Sequence, residues 1–308
     1  PSTSSILHNR MEAPLQPSAR RGDRIMEDVD SAKAYDIDSK DKNNPLACTI
    51  YIQDIQNHYK RIENKTAVSA SYMQKQEDIN DKMRAILNDW LIEVHLKFKL
   101  MPETLYLTVN LIDRFLSKQQ VTRKNLQLVG ITAMLLASKY EEIWAPEVRD
   151  FVYISDKAYT RDQILEMEKF MLNVLHFNLS VPTQYAFLSR YFKAAGADKQ
   201  TEVCAFFLLE LCMPDYGMLK FSPSLIAAAA LYVSHLTLKK AETWNGALEF
   251  HTGYSEADLK ACAQHICNIQ NKAGSASLMA AYKKYSTPKF LEVAKLTPVL
   301  QQGKERMA

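Results

Sequence analysis

The chain has 308 residues, 47% hydrophobic and 24% charged, enough apolar material for two domains or one large one with a sizeable core. Glycine is scarce, at 8 residues, and the net charge is only +3. That argues against glycine-rich phosphate loops and leaves no electrostatic case for nucleic acid. The cysteines Cys48, Cys204, Cys212, Cys262 and Cys267 include no CxxC pair, so free thiols in a reducing compartment are expected, not disulfides or a zinc site. The longest apolar stretches, 128–137 and 225–233, are about half of the roughly 20 residues a membrane span needs. No secretory signal opens the sequence, which starts at Pro1 and reads as trimmed.

Residues 1–45 read as a disordered tail, interrupted by Pro14, Pro17 and Pro45 and poor in large apolar residues. Residues 46–77 read as an N-terminal helix and a linker. Ile52, Ile55, Tyr59 and Ile62 recur at helical spacing, and Glu63 to Gln76 is polar. A first compact unit covers 78–180. Its opening helix takes Asp78 or Asn80 as cap. Ile86, Leu91 and Val94 suit a core face, Met83, Leu87 and Trp90 form a second stripe, and Arg84 sits between them. A second helix, 103–117, follows Pro102. A third, 123–142, with Thr122 as cap, is apolar nearly all round from Leu126 to Ala137, so it needs neighbours on every side. A short fourth helix opens at Ala145-Pro146-Glu147. Thr160-Arg161-Asp162-Gln163 is a capping box for a fifth, which runs to about His176. Val181-Pro182-Thr183 breaks the pattern.

A second unit, 181–285, repeats the plan. Leu128, Val129, Gly130, Thr132, Ala133, Met134 and Leu136 align with Leu225, Ile226, Ala227, Ala229, Ala230, Leu231 and Val233. Ile164, Met167, Met171 and Val174 align with Leu259, Cys262, Ile266 and Ile269, behind a cap-like Ser255-Glu256-Ala257-Asp258. Two copies of about 100 residues are too long and too few for a solenoid. Residues 286–308, with Pro288 and Pro298, read as an irregular tail. The expected architecture is all-α: two tandem five-helix repeats preceded by an N-terminal helix. Lys139 and Glu168 have Leu236 and Ala263 as counterparts, so the helices form without either charge. Solvated side chains, a mutual ion pair worth about 0–1 kcal/mol, and partner binding all remain open on spacing alone.

Met-Arg-Ala-Ile-Leu at 83–87, followed by Asp89-Trp90-Leu91 and Glu93-Val94, resembles the first helix of the cyclin box. Ile112-Asp113-Arg114-Phe115, Leu126–Ile143 and Met167-Glu168-Lys169 continue the likeness, which covers roughly 50–290. Met101–Leu107, Ile143–Val148, His251–Ser255 and Tyr282–Ser286 resemble mitotic B-type cyclins of plants and green algae more than A types, although both share the first string.

The resemblance implies a regulatory subunit, not an enzyme, that binds and activates a cyclin-dependent serine/threonine kinase at mitotic entry. Lys139 and Glu168 would hydrogen-bond the kinase backbone around its regulatory helix. Tyr140, Leu172 and Leu179 would pack on that helix, and Ile52, Ile55 and Tyr59 would buttress the other side. Met83, Leu87, Trp90, Glu93 and Gln127 resemble a groove that captures Arg-x-Leu motifs of substrates or inhibitors. Arg84 and Asp113 would form a buried structural pair. Mitotic cyclins carry an Arg-x-x-Leu destruction box in such a tail, but none of Arg10, Arg20, Arg21 and Arg24 has Leu three residues on, so either the box was removed with the missing start or degradation uses another signal. The one Arg-x-x-Leu near the front, Arg84 to Leu87, lies inside the folded helix.

The rival classes fit less well. No GxGxxG, P-loop or HExxH is present, so neither cofactor nor metal is expected, and His95, His176 and His235 read as structural. A transcription factor of the TFIIB kind also carries two cyclin-like repeats, but it calls for a zinc ribbon and a basic face. No nucleic-acid or membrane partner is expected. No basic import cluster favours one compartment, so nucleus and cytoplasm are both expected.

Overall fold

The computed structural model describes residues 35–300, and among these there is no β-strand. The helices are α1 (Ile52–Thr66), α2 (Asp81–Phe98), α3 (Pro102–Leu116), α4 (Arg123–Glu141), α5 (Val148–Ile154) and α6 (Arg161–Val174). They continue as α7 (Gln184–Ala195), α8 (Lys199–Cys212), α9 (Pro223–Thr237), α10 (Gly246–Thr252), α11 (Glu256–Lys272) and α12 (Ala280–Tyr285). Helices α2–α6 form the first five-helix unit and α7–α11 the second, with α1 in front.

The local signals act much as their chemistry requires. The Asn80 side chain accepts from Met83 N–H at 3.0 Å. Capping boxes form at Thr160/Gln163 and Ser255/Asp258. Helix α4 is enclosed, with Val129, Ile131, Ala133, Met134, Leu135 and Ala137 fully buried. Thr122, in contrast, makes no side-chain cap. The carboxylate of Asp78 takes Arg123 N–H instead, at 2.7 Å.

The supposed linker between α1 and α2 is part of the core. Glu63 is buried and accepts from Ser224 N–H (3.0 Å) and Oγ–H (2.8 Å) on α9. Tyr72 is 1% exposed and donates to Asp113.

Two expected tails are also structured where they are described. Residues 35–47 lie on the second unit, where Asp38 meets Arg190 and Lys193 of α7. Residues 1–34 lie outside the described residues. After Ser286 the chain makes two 3-10 turns, Pro288–Phe290 and Val293–Lys295. Val293 and Ala294 are buried, and the Phe290 ring lies 4.8 Å from that of Tyr285. The prolines that suggested irregularity include Pro288, which starts the first of these turns.

Two buried polar clusters join the units. The Arg84 guanidinium donates to both Asp113 oxygens (2.6 and 2.7 Å) and to the carbonyls of Met213 and Pro214 (both 3.3 Å). Asn88 also donates to Met213 O. Burial pulls the Arg84 pKa down, but the Asp113 charge and hydrogen bonds outweigh it and raise it above the ordinary value. In the second cluster, Lys284 and Tyr285 of α12 donate to Glu210 of α8 (2.6 and 2.7 Å). Ala280 N–H of the same helix reaches Asp89 of α2.

Candidate kinase-binding and docking surfaces

Helix α4 ends by delivering Lys139 and Tyr140 to the surface. Lys139 Nζ meets Glu168 Oε1 of α6 at 2.7 Å, with the lysine side chain 47% exposed and the glutamate 13%. Of the readings left open by spacing, the mutual ion pair is the one the free chain adopts. Tyr140, half-exposed, hydrogen-bonds Ser180 through its hydroxyl. Leu172 and Leu179 are half-buried against the core. Buried Arg114 fixes the turn that carries Leu179 by donating to Asn178 O at 2.9 Å.

The chain beyond α4 is anchored by Glu142, whose carboxylate accepts Met101 N–H at 2.7 Å and the Thr104 hydroxyl. Just past that anchor Ile143 is 87% exposed and Trp144 is 90% exposed. These two residues, with exposed Phe177, extend the candidate surface beyond the side chains named from sequence. Their signal was present: large apolar residues in a loop, beyond the helix that could have buried them.

Ile52, Ile55 and Tyr59 of α1 are half-buried. Tyr59 faces the second unit, edge-on to Phe187 at 6.2 Å. The structure therefore does not gather this set with Lys139 and Glu168 on one unit. A partner touching both must span the junction. Leu46, Ile50 and Tyr51, which the sequence reading did not name, are exposed just ahead of α1.

The second candidate surface departs from expectation in two residues. Ile86, assigned to the core, is 59% exposed, whereas Leu87, assigned to the open stripe, is 6% exposed. The outer stripe is Met83, Ile86 and Trp90, at three- and four-residue spacing, with Leu87 as its floor. Gly130 of α4 makes room for that floor. A Cβ there would stand 2.7 Å from Leu87 Cδ1. Exposed Glu93 and half-buried Gln127 flank the stripe. The inner face instead carries Arg84, Asn88, Leu91, Ile92, Val94 and His95, all buried.

His95, His176 and His235 do not gather into a site. His95 Nε2 donates to Met101 O, and His235 Nδ1 to Thr243 O, each at 2.9 Å. His176 is exposed, in a turn with φ of 53°. No group of three His, Cys, Asp or Glu among the described residues is placed to hold a metal ion. No described helix is long and apolar enough to cross a membrane.

The family profile "Cyclin, N-terminal domain" matches residues 54–180, and "Cyclin, C-terminal domain" matches 182–299. The chain is a cyclin. It is 52% identical over 275 residues to Cyclin-B2-3 of Arabidopsis thaliana, an alignment covering 89% of this chain and 64% of the relative. It is 55% identical over 263 residues to G2/mitotic-specific cyclin-1 of Medicago sativa subsp. varia, covering 85% and 61%. With G2/mitotic-specific cyclin-2 of Medicago sativa the identity is 54%, covering 85% and 80%. This cyclin thus spans less than two thirds of the length of several relatives it matches. Among solved structures, a viral cyclin from herpesvirus saimiri superposes with a TM-score of 0.63 at 22% identity, covering 70% of this cyclin and 97% of the viral chain. That likeness concerns the fold.

Proposed function

We propose that this cyclin is the regulatory subunit of a cyclin-dependent serine/threonine kinase and acts at entry into mitosis, in nucleus and cytoplasm. The observation that carries the reading is the uncovered cluster at the end of α4. A polar pair, Lys139 and Glu168, lies beside Tyr140 and a fixed loop that holds Ile143 and Trp144 in the open. Apolar surface of this kind, with a charged pair beside it, marks a docking site. The mitotic names of the plant relatives support the timing.

In this mechanism the kinase exchanges the internal Lys139–Glu168 bond for hydrogen bonds to its own backbone. Tyr140, Leu172 and Leu179 pack on its regulatory helix. The helix is held inward, where its glutamate pairs with the catalytic lysine, an arrangement phosphoryl transfer requires. The cyclin acts by preferring one kinase conformation. Met83, Ile86 and Trp90, over Leu87 and beside Glu93 and Gln127, form the groove proposed for Arg-x-Leu substrates or inhibitors, with Glu93 matching the arginine charge.

The test is activation of a purified cell-cycle kinase on a Ser-Pro peptide. Wild-type chain should activate it, and Lys139→Ala with Glu168→Ala should not. Equal activation by both would refute the assigned surface. Met83→Ala, Ile86→Ala and Trp90→Ala together should slow only substrates that carry Arg-x-Leu. Equal slowing of a peptide without the motif would remove the groove.

A further inference from the structure

Residues 35–53 precede the region matched by the family profile, yet part of this segment is firmly seated on the second unit. The Asp38 carboxylate receives a two-pronged guanidinium from Arg190, both contacts at 2.6 Å, and Lys193 Nζ at 2.7 Å. The Arg190 side chain is 6% exposed. A guanidinium that deep needs a carboxylate partner, and Asp38, from 152 residues earlier in the chain, is the one it has. The Arg190 hydrogen bonds, with further help from Lys193, pull the Asp38 carboxyl down to about 2 against the opposing cost of burial.

A second anchor lies on α10. His251 Nε2 donates to Tyr35 O at 2.8 Å, and the Tyr35 ring rests 5.7 Å from that of Phe250. Gly246 leaves the space: a Cβ there would come within 2.5 Å of Tyr35 Oη. The rear of α1 is tied to the same unit by Glu63 on Ser224, and by Lys60 over the Tyr254 ring at 3.9 Å. Between front and rear anchors lie Ile50, Tyr51, Ile52 and Ile55, side chains that no core claims fully.

We propose that residues 35–47 form a strap that sets the position of α1, with Asp38 as a positioning residue for partner docking. The strap fixes one end of α1 and Glu63 the other, so the helix presents its outer side chains in one orientation before any partner arrives. Its part in kinase docking rests on the proposed function. Its hold on α1 does not.

The test uses the full chain with Asp38→Asn, Asp38→Glu and Gly246→Ala. Hydrogen–deuterium exchange of the free chain should quicken over 50–58 in Asp38→Asn and Gly246→Ala, stay slow in α8 and α9, and return toward wild type in Asp38→Glu. Unchanged exchange over 50–58 overturns the strap. In kinase titrations, if the docking-competent orientation falls to about a tenth, the concentration for half-maximal activation of Asp38→Asn rises roughly tenfold at unchanged maximal activity. Faster exchange without that shift overturns the role in docking. Wild-type chain that activates no kinase in a panel refutes the proposed function, while the exchange result still decides the strap.

Discussion

The two five-helix units share a plan and differ in what covers them. The second is wrapped by its own chain: the strap on α7 and α10, α1 against α9, and α12 with the last two 3-10 turns against α8. The first keeps an open flank at the end of α4. Its polar pair there, Lys139 and Glu168, stands where the second unit has half-buried Leu236 and 5%-exposed Ala263. One architecture thus serves two purposes. The second copy supports the helix α1, and the first carries the open flank proposed for the kinase.

The comparison breaks most completely if the units come apart. Arg84 is 1% exposed and binds both Asp113 and the backbone just after α8 of the second unit. Removing one partner of such a pair strands the other charge, so Arg84→Ala should cost about 3–5 kcal/mol. Chemical denaturation of the full chain checks this. A loss under about 1 kcal/mol would mean that the junction tolerates the change and the weld is minor.

The next effect tests whether the counterpart positions are interchangeable. Ala263→Glu places a carboxyl where the neighbouring α9 offers Leu236, with no partner in place, and should cost roughly 1–3 kcal/mol. Adding Leu236→Lys should recover part of that loss, read as the coupling in a double-mutant cycle. No recovery would show that the second unit cannot host the pair even when both members are supplied.

How much of this was legible in sequence follows from the range of the forces involved. Helices, caps and the duplication are short-range or periodic, and they were readable. So was the Arg84–Asp113 pair, through resemblance. Ile86 and Leu87 were exchanged because adjacent positions lie only about 100° apart on a helix of 3.6 residues per turn. Which one faces in is decided by α4, where Gly130 leaves space for Leu87. The strap was unreadable for a different reason. Its apolar content is low, and its attachment is a salt bridge to a residue 152 positions away. The last turns gave the same false impression, since the burial of Val293 and Ala294 depends on a surface that α8 supplies.

A pH scan sharpens the comparison further, through two buried histidines and one half-buried one. Burial lowers the pKa of His95, beside the junction, of His235 in α9, and of His251 under the strap. Each takes up a proton less readily when folded than when unfolded, where the value is near 6.5. Stability is therefore fully present above about pH 6.5 and declines as pH falls below it. Asp38, held near 2, stays ionised in that window and contributes nothing to the slope. The Tm should drop between pH 7.5 and 5.5, and His95→Gln should shrink the drop. An unchanged Tm would mean that these sites admit the proton without cost.

The smallest stability effect is expected where the functional effect is largest. Replacing Lys139 by Leu and Glu168 by Ala gives the first unit the residues of the second. The pair is short, at 2.7 Å, but its lysine is 47% exposed. An ion pair so open to solvent contributes about 0–1 kcal/mol, and Leu at the end of α4 is a good helix former. Denaturation midpoints should stay nearly fixed while activation of a cell-cycle kinase is lost. A large loss of stability would place the pair among the elements that hold the first unit together, and the open flank would then be a by-product of packing. Stability unchanged with activation gone would separate the two units by purpose, since the same two residues serve the second unit only as filling.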